Sequence, residues 1–166
     1  MNTVTFKGKP VKVEGTFPSA GEKAPDFILV NHKLENQSLK DFSGENKLLL
    51  IVPSLETPVC ATCTKKFHET LQAHKHVDFL VISADLPFAQ KRYIDQEKLK
   101  GVTTLSMMRN QSFALDYGVL IKDGPLQGLC VRATLVLNKT NTTLYSEMVS
   151  DITSEHEYDT ALSYLS

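Results

Sequence analysis

Cys60 closes the run Pro53-Ser54-Leu55-Glu56-Thr57-Pro58-Val59-Cys60, and a second cysteine, Cys63, follows three residues later. A cysteine acts as a nucleophile or metal ligand in its thiolate form. The thiolate is favoured at the first turn of a helix, where unpaired backbone N–H groups and the positive end of the helix dipole face the sulfur. Pro58 suits that first turn, since its missing N–H costs nothing there, and the residue spacing predicts a helix over 59–73. A thiolate so placed can break the weak O–O bond of a peroxide, taking one oxygen as sulfenic acid and releasing water or an alcohol. Negative charge builds on the departing oxygen, so fixed hydrogen-bond donors should surround it. Thr57 can turn its hydroxyl back toward the sulfur or the peroxide, or simply cap the helix. Arg132 lies in the otherwise uncharged run Leu129-Cys130-Val131-Arg132-Ala133-Thr134-Leu135, where an unpaired guanidinium would be costly. It requires an anionic partner, with Glu56 and Asp85 as structural candidates.

The elements that must hold these residues are readable as a short apolar strand over 47–52, the helix behind Cys60, and a second apolar strand over 79–83. These form a βαβ unit with parallel pairing. Residues 4–6 and 11–13 alternate around Gly8 as an N-terminal hairpin, and 27–30 is a further short strand. Short helices are predicted over 88–93 and 112–117, and strands over 131–137 and 143–149 around the turn Asn138-Lys139-Thr140-Asn141. A last helix is predicted over 157–165. The fold class is α/β, a central mixed sheet flanked by helices with an N-terminal β-hairpin, in the thioredoxin-like arrangement. Phe88, Phe113 and Tyr117 read as core or channel walls.

The spacing Pro-x3-Thr-x2-Cys resembles the peroxiredoxin signature. Together with Ser83-Ala84-Asp85-Leu86-Pro87-Phe88-Ala89-Gln90, Tyr117-Gly118-Val119, Asp123-Gly124-Pro125-Leu126, Gly128-Leu129 and Arg132-Ala133, it resembles the bacterial thiol peroxidase family, an atypical two-cysteine branch, along nearly the whole chain. The resemblance implies a thioredoxin-like fold, reduction of hydrogen peroxide and alkyl hydroperoxides, no metal or organic cofactor, recharging by thioredoxin or a similar thiol, and a homodimer. It also implies that Cys60 is the peroxidatic nucleophile, that Arg132 faces it, and that Pro53 shields the thiolate from water and over-oxidation.

The chain departs from that pattern where the resolving cysteine is expected, because Ile94 stands there and Asp95-Gln96-Glu97-Lys98-Leu99 replaces the usual continuation. The Cys60 sulfenic acid must then be reduced by Cys63, by Cys130 or by an external thiol. Cys60-Ala61-Thr62-Cys63 has the Cys-x-x-Cys spacing of a helix-start disulfide. Cys63 also lies only about 60° from the line of Cys60, Phe67 and Leu71 on a helical wheel, so core packing accounts for it equally well. Period-2 alternation would put Cys130 on one sheet face with Arg132, though a mid-strand cysteine moves little.

The 166 residues, 42% hydrophobic and 22% charged, suit one domain over 1–166 with a substantial core. A formal net charge of −1 without a basic block argues against nucleic acid or a membrane surface as partner. No apolar run approaches the roughly 20 residues of a membrane span, and no signal-peptide core is evident, so a soluble cytoplasmic protein is expected. Three cysteines make no disulfide framework. A zinc site is not expected, since one Cys-x-x-Cys does not close a tetrahedron, and His68, His74 and His76 read as a solvated face. The leading reading is a thiol-dependent peroxidase. The alternatives are a thiol-disulfide oxidoreductase working through Cys60 and Cys63, and a redox sensor or binding module that kept the fold without efficient turnover.

Overall fold

The computed structural model describes residues 2–42, 44–74 and 76–165, the first of them by its backbone alone. In chain order the elements are β1 (Asn2–Phe6), β2 (Lys9–Glu14), β3 (Leu29–Val30), β4 (Asn36–Gln37), β5 (Asn46–Ile51), α1 (Pro58–Leu71), β6 (Val77–Ser83), α2 (Pro87–Glu97), β7 (Val102–Ser106), α3 (Phe113–Asp116), β8 (Leu120–Ile121), β9 (Ala133–Leu137), β10 (Thr143–Met148) and α4 (Tyr158–Ser163). Short 3-10 turns occupy Leu39–Phe42 and Met107–Arg109.

Seven strands form a mixed sheet in the order β10-β9-β5-β6-β7-β3-β4. Its centre is the predicted βαβ unit: β5 and β6 pair in parallel from Asn46 opposite Val77 to Ile51 opposite Ile82, with α1 as the crossover. β7 extends the parallel part beside β6, and β9 runs antiparallel to β5. Because side chains alternate along a strand, β5 and β6 serve two cores at once. Leu49, Ile51, Leu80 and Ile82 face one cluster together with α3, β2 and β8. Leu48, Leu50, Phe79 and Val81 face the other, with residues of α1, α2 and α4.

The predicted N-terminal hairpin is present, with Phe6 opposite Lys9 and a two-residue turn in which Lys7 (φ 52) and Gly8 (φ 80) are both left-handed. That turn matches the natural twist of a hairpin. β8 joins β2 to complete a small three-stranded sheet. Gly118 permits another close approach: a Cβ there would lie 2.3 Å from the Phe17 nitrogen, and its φ is +66. The Tyr117-Gly118-Val119 string is thus a packing requirement, with Tyr117 and Phe113 stacked at 4.6 Å in the core.

Several sequence expectations are corrected. α2 is longer than the predicted 88–93, and Phe88 is not a wall residue but is 63% exposed, since Gln90 and Tyr93 form the buried side of that helix. The strand predicted over 131–137 starts only at Ala133, because Cys130 pairs in an isolated bridge with Leu120 and the chain is irregular through Val131 and Arg132. β7 had no sequence signal, because Val102-Thr103-Thr104-Leu105-Ser106 is too polar to read as an apolar run, although Thr104 and Ser106 are buried. Among the described residues no helix is long and apolar enough to cross a membrane.

Candidate active site

β5 delivers the chain to the site and then stops at Ile51, which is fully buried, as is Val52 after it. From Pro53 to Thr57 the backbone is non-regular, and its shape is set by one carboxylate. Asp85, just beyond β6, accepts from Ser54 Oγ at 2.6 Å, from the Leu55 N–H at 2.8 Å and from Ser83 Oγ at 2.7 Å. Ser106 Oγ, at the end of β7, donates to the Asp85 carbonyl. Hydrogen bonds to a carboxylate are roughly twice as strong as neutral ones, so this cluster templates the loop from the ends of neighbouring strands. The Ser83-Ala84-Asp85 string supplies it, and no period or spacing in the sequence announces that role.

The loop ends at Thr57, whose φ of −90 and ψ of 144 are those of an N-cap, and Pro58 opens α1 as predicted. Thr57 does not cap the helix with its side chain; its hydroxyl donates to the Ser54 carbonyl at 3.0 Å. Cys60 occupies the first turn with no exposed surface.

Arg132 has left both structural carboxylates. Glu56 pairs with Arg92 of α2 at 2.5 Å, and Asp85 is committed to the loop. Arg132, 2% exposed, donates Nη1 to Cys60 Sγ at 3.0 Å and Nε to the Ile152 carbonyl at 3.1 Å. The Ile152 segment is fixed in turn to the N-terminal hairpin: the Ile152 N–H donates to the Thr5 carbonyl at 2.8 Å, and Asp151 accepts from Thr5 Oγ1 and from the Gly8 N–H. Bonds from Thr153, Thr5 and Gly8 hold the Asp151 carboxyl well below the usual carboxylate range. Residues remote in sequence therefore aim the guanidinium, a dependence that sequence patterning does not reveal.

Beside this pair lies a largely apolar cavity of about 280 Å³, walled by Phe6, Val59, Leu126, Leu129 and Ile152, with Pro53, Thr57 and Arg132 at its inner side. The Leu126 and Leu129 strings singled out in the sequence are accounted for as its wall. Arg132 thus borders the cavity while the sulfur it contacts is fully buried and does not line it.

The other two thiols are in different settings. Cys63 is buried on the same side of the sheet as Cys60, and burial pushes its thiol up despite the Tyr158 hydroxyl at 3.1 Å and the nearby Arg132 charge. Cys130 is not on the Arg132 face: the irregular backbone between them breaks the period-2 rule and turns Cys130 into the opposite cluster, against Met107 Sδ at 3.4 Å. Complete burial pushes its thiol up to about 12. Ile94 is partly buried against the Cys60 and Cys63 cluster.

The Redoxin family model matches residues 19–162 of this chain. A thiol peroxidase of Leptospira interrogans serovar copenhageni is 47% identical over 164 residues, spanning 98% of this chain and 96% of that protein. A peroxiredoxin-like protein from Aquifex aeolicus superposes with a TM-score of 0.91 at 36% identity, over 99% of this chain and 96% of that one. A thiol peroxidase from Chromobacterium violaceum gives 0.93 at 26% identity, over 98% and 94%. The chain belongs to the thiol peroxidase family. These likenesses do not favour the sensor or the disulfide-exchange reading.

The Asp85 cluster generates a prediction. Asp85→Ala removes the acceptor of three donors and should lower unfolding stability by about 2–3 kcal/mol in urea melts, as loss of hydrogen bonds to a charged group does. The same variant should slow peroxide consumption, because Pro53 and Thr57 lose their template; a fully active, equally stable Asp85→Ala protein would refute that role.

Proposed function

We propose that the chain acts as one domain that reduces hydrogen peroxide and alkyl hydroperoxides through a sulfenic acid on Cys60. The substrate is a hydroperoxide and the electrons come from a thiol, which we take to be thioredoxin or a similar dithiol carrier in the cytoplasm; the working unit is taken as a homodimer. The observation that carries this reading is the Arg132 Nη1 contact to Cys60 Sγ at 3.0 Å, at a helix start beside an apolar cavity. A guanidinium so placed is positioned to meet the charge that develops on the leaving oxygen. Thr57 adds a second donor, and Pro53, buried beside the cavity, limits water. The apolar wall supports acceptance of alkyl as well as hydrogen peroxide.

The sulfenic acid is resolved by Cys63 in this reading. Both cysteines sit on α1, within the first two turns, in one core cluster. The helix start has no side-chain cap, so its first turn can open to let the sulfurs meet. Cys130 is screened from Cys60 by the sheet.

Cys60→Ser should abolish peroxide consumption in a coupled thioredoxin assay while far-UV circular dichroism stays unchanged; residual turnover above about one per cent would overturn the assignment, since losing a covalent nucleophile costs several orders of magnitude. Arg132→Met should slow the peroxide reaction about 10²-fold or more, as loss of one preorganised donor does. One equivalent of peroxide added to the reduced protein should yield a monomer lighter by two hydrogens, with a peptide map joining Cys60 to Cys63. Stable sulfenic acid, or a Cys60 to Cys130 link, would refute Cys63 as the partner.

A further inference from the structure

Tyr158 opens α4 and sets its phenol oxygen between two groups, 3.1 Å from Cys63 Sγ and 3.0 Å from Glu155 Oε1. The phenol has a single proton for these two neighbours. A carboxylate only accepts, so while Cys63 is a thiol the phenol donates to Glu155 and its lone pair takes the Cys63 S–H. The three groups then form an unbroken hydrogen-bonded line from a buried sulfur to the surface. Its outer end is wet: the Glu155 side chain is 44% exposed and pairs with Lys66 Nζ at 3.1 Å, itself half exposed. The ring is held by Phe67 at 4.8 Å, so the line has a fixed geometry.

A resolving thiol in this place needs such a line. Burial keeps Cys63 protonated at neutral pH, and a neutral thiol is a poor nucleophile. His156 is the poorer acceptor: burial lowers the imidazole's affinity for a proton, its Nδ1 is engaged with Thr134 Oγ1 at 2.5 Å, and its Nε2 makes no hydrogen bond, to Cys63 Sγ or to any other group among the described residues. We propose that Tyr158 is a catalytic residue of the second chemical step, relaying the Cys63 thiol proton to Glu155 as Cys63 attacks the sulfenic acid on Cys60. This rests on the reading of Cys63 as the resolving thiol.

The step balances without an added reagent. The Cys63 S–H bond breaks, its electron pair forms the S–S bond, and the Cys60 S–O bond breaks with its pair going to oxygen. The proton passes to Tyr158 while the phenol proton passes to Glu155, which exchanges with solvent; the departing hydroxide takes a proton from solvent and leaves as water. Cys63 is oxidised by the sulfenic acid that the peroxide has made. The titratable and charged groups facing the pair are Cys60 and Lys66 on α1, Tyr93 on α2, Arg132 before β9, and Glu155 and His156 before α4.

The test is a single turnover of the full chain. Reduced protein is mixed with one equivalent of hydrogen peroxide and acid-quenched at intervals, and mass spectrometry follows sulfenic acid and disulfide separately. In Tyr158→Phe, disulfide formation should slow about 10²-fold, the usual worth of a positioned general base. Its rate should also become proportional to hydroxide, rising about tenfold per pH unit, whereas the wild-type rate depends on pH more weakly. Glu155→Gln leaves the ring in place and should slow the step in the same direction, which guards against a packing effect of the Phe variant. Disulfide formation at the wild-type rate in both variants, or a slower rate with an unchanged pH slope, would overturn the relay. Absence of a Cys60 to Cys63 disulfide in the wild type would instead overturn the resolving role and the relay with it, an outcome separable from normal disulfide formation in the variants.

Discussion

A guanidinium with 2% of its surface exposed must find a partner, because an isolated buried charge costs far more than a fold can supply. In this chain that partner is the sulfur of Cys60, assisted by the Ile152 carbonyl. The contact therefore answers a demand of the fold itself, since it pairs a guanidinium that would otherwise be buried alone. The rest of the site is arranged so that this one pair can form. β5 and the Asp85 cluster place the sulfur, while the segment before β9 and the N-terminal hairpin place the guanidinium.

The hairpin shows how far the dependence reaches. β1 and β2 precede the region 19–162 that the Redoxin model matches, yet Thr5 and Gly8 bind Asp151, Thr5 binds Ile152, and Ile152 binds Arg132. Phe6 and Lys7 also border the cavity. An element that reads in the sequence as a peripheral ribbon thus fixes the direction of the key cation and shapes the entrance.

The parts of the fold legible in the sequence were those governed by local rules. Apolar runs marked β5 and β6, Pro58 marked the start of α1, and the lone charge of Arg132 in an apolar stretch demanded a polar partner. What stayed hidden depended on long-range geometry. The break at Cys130 to Arg132 follows from a bridge to Leu120 that no alternation pattern encodes, and it reversed the expected facing of Cys130. Asp85 looks like any loop acid until Ser54 and Leu55 are folded against it, and Tyr158 looks like a helix-start aromatic until α4 docks beside Cys63. The Thr57 hydroxyl was expected on the helix or the sulfur and lies on Ser54 instead.

The same geometry bears on how, in the proposed reading, Cys63 serves where Ile94 replaces the expected cysteine. A resolving residue on α2 would have to cross to Cys60, and α2 is tied to the active-site segment by the Arg92 to Glu56 and Lys65 to Glu97 ion pairs and by the Tyr93 hydroxyl on the Ala61 carbonyl. Exposed ion pairs such as these contribute little, about 0–1 kcal/mol each, but the buried Tyr93 bond and the packing of Ile94 make α2 part of the wall. Cys63 needs only the first turn of α1 to loosen, and that turn is held by backbone bonds and a proline without a side-chain cap. In the proposed reading, opening it also breaks the Arg132 contact to sulfur, after the guanidinium has met the charge on the leaving oxygen. On that reading the turn that presents the nucleophile is also the one whose release lets Cys63 reach it.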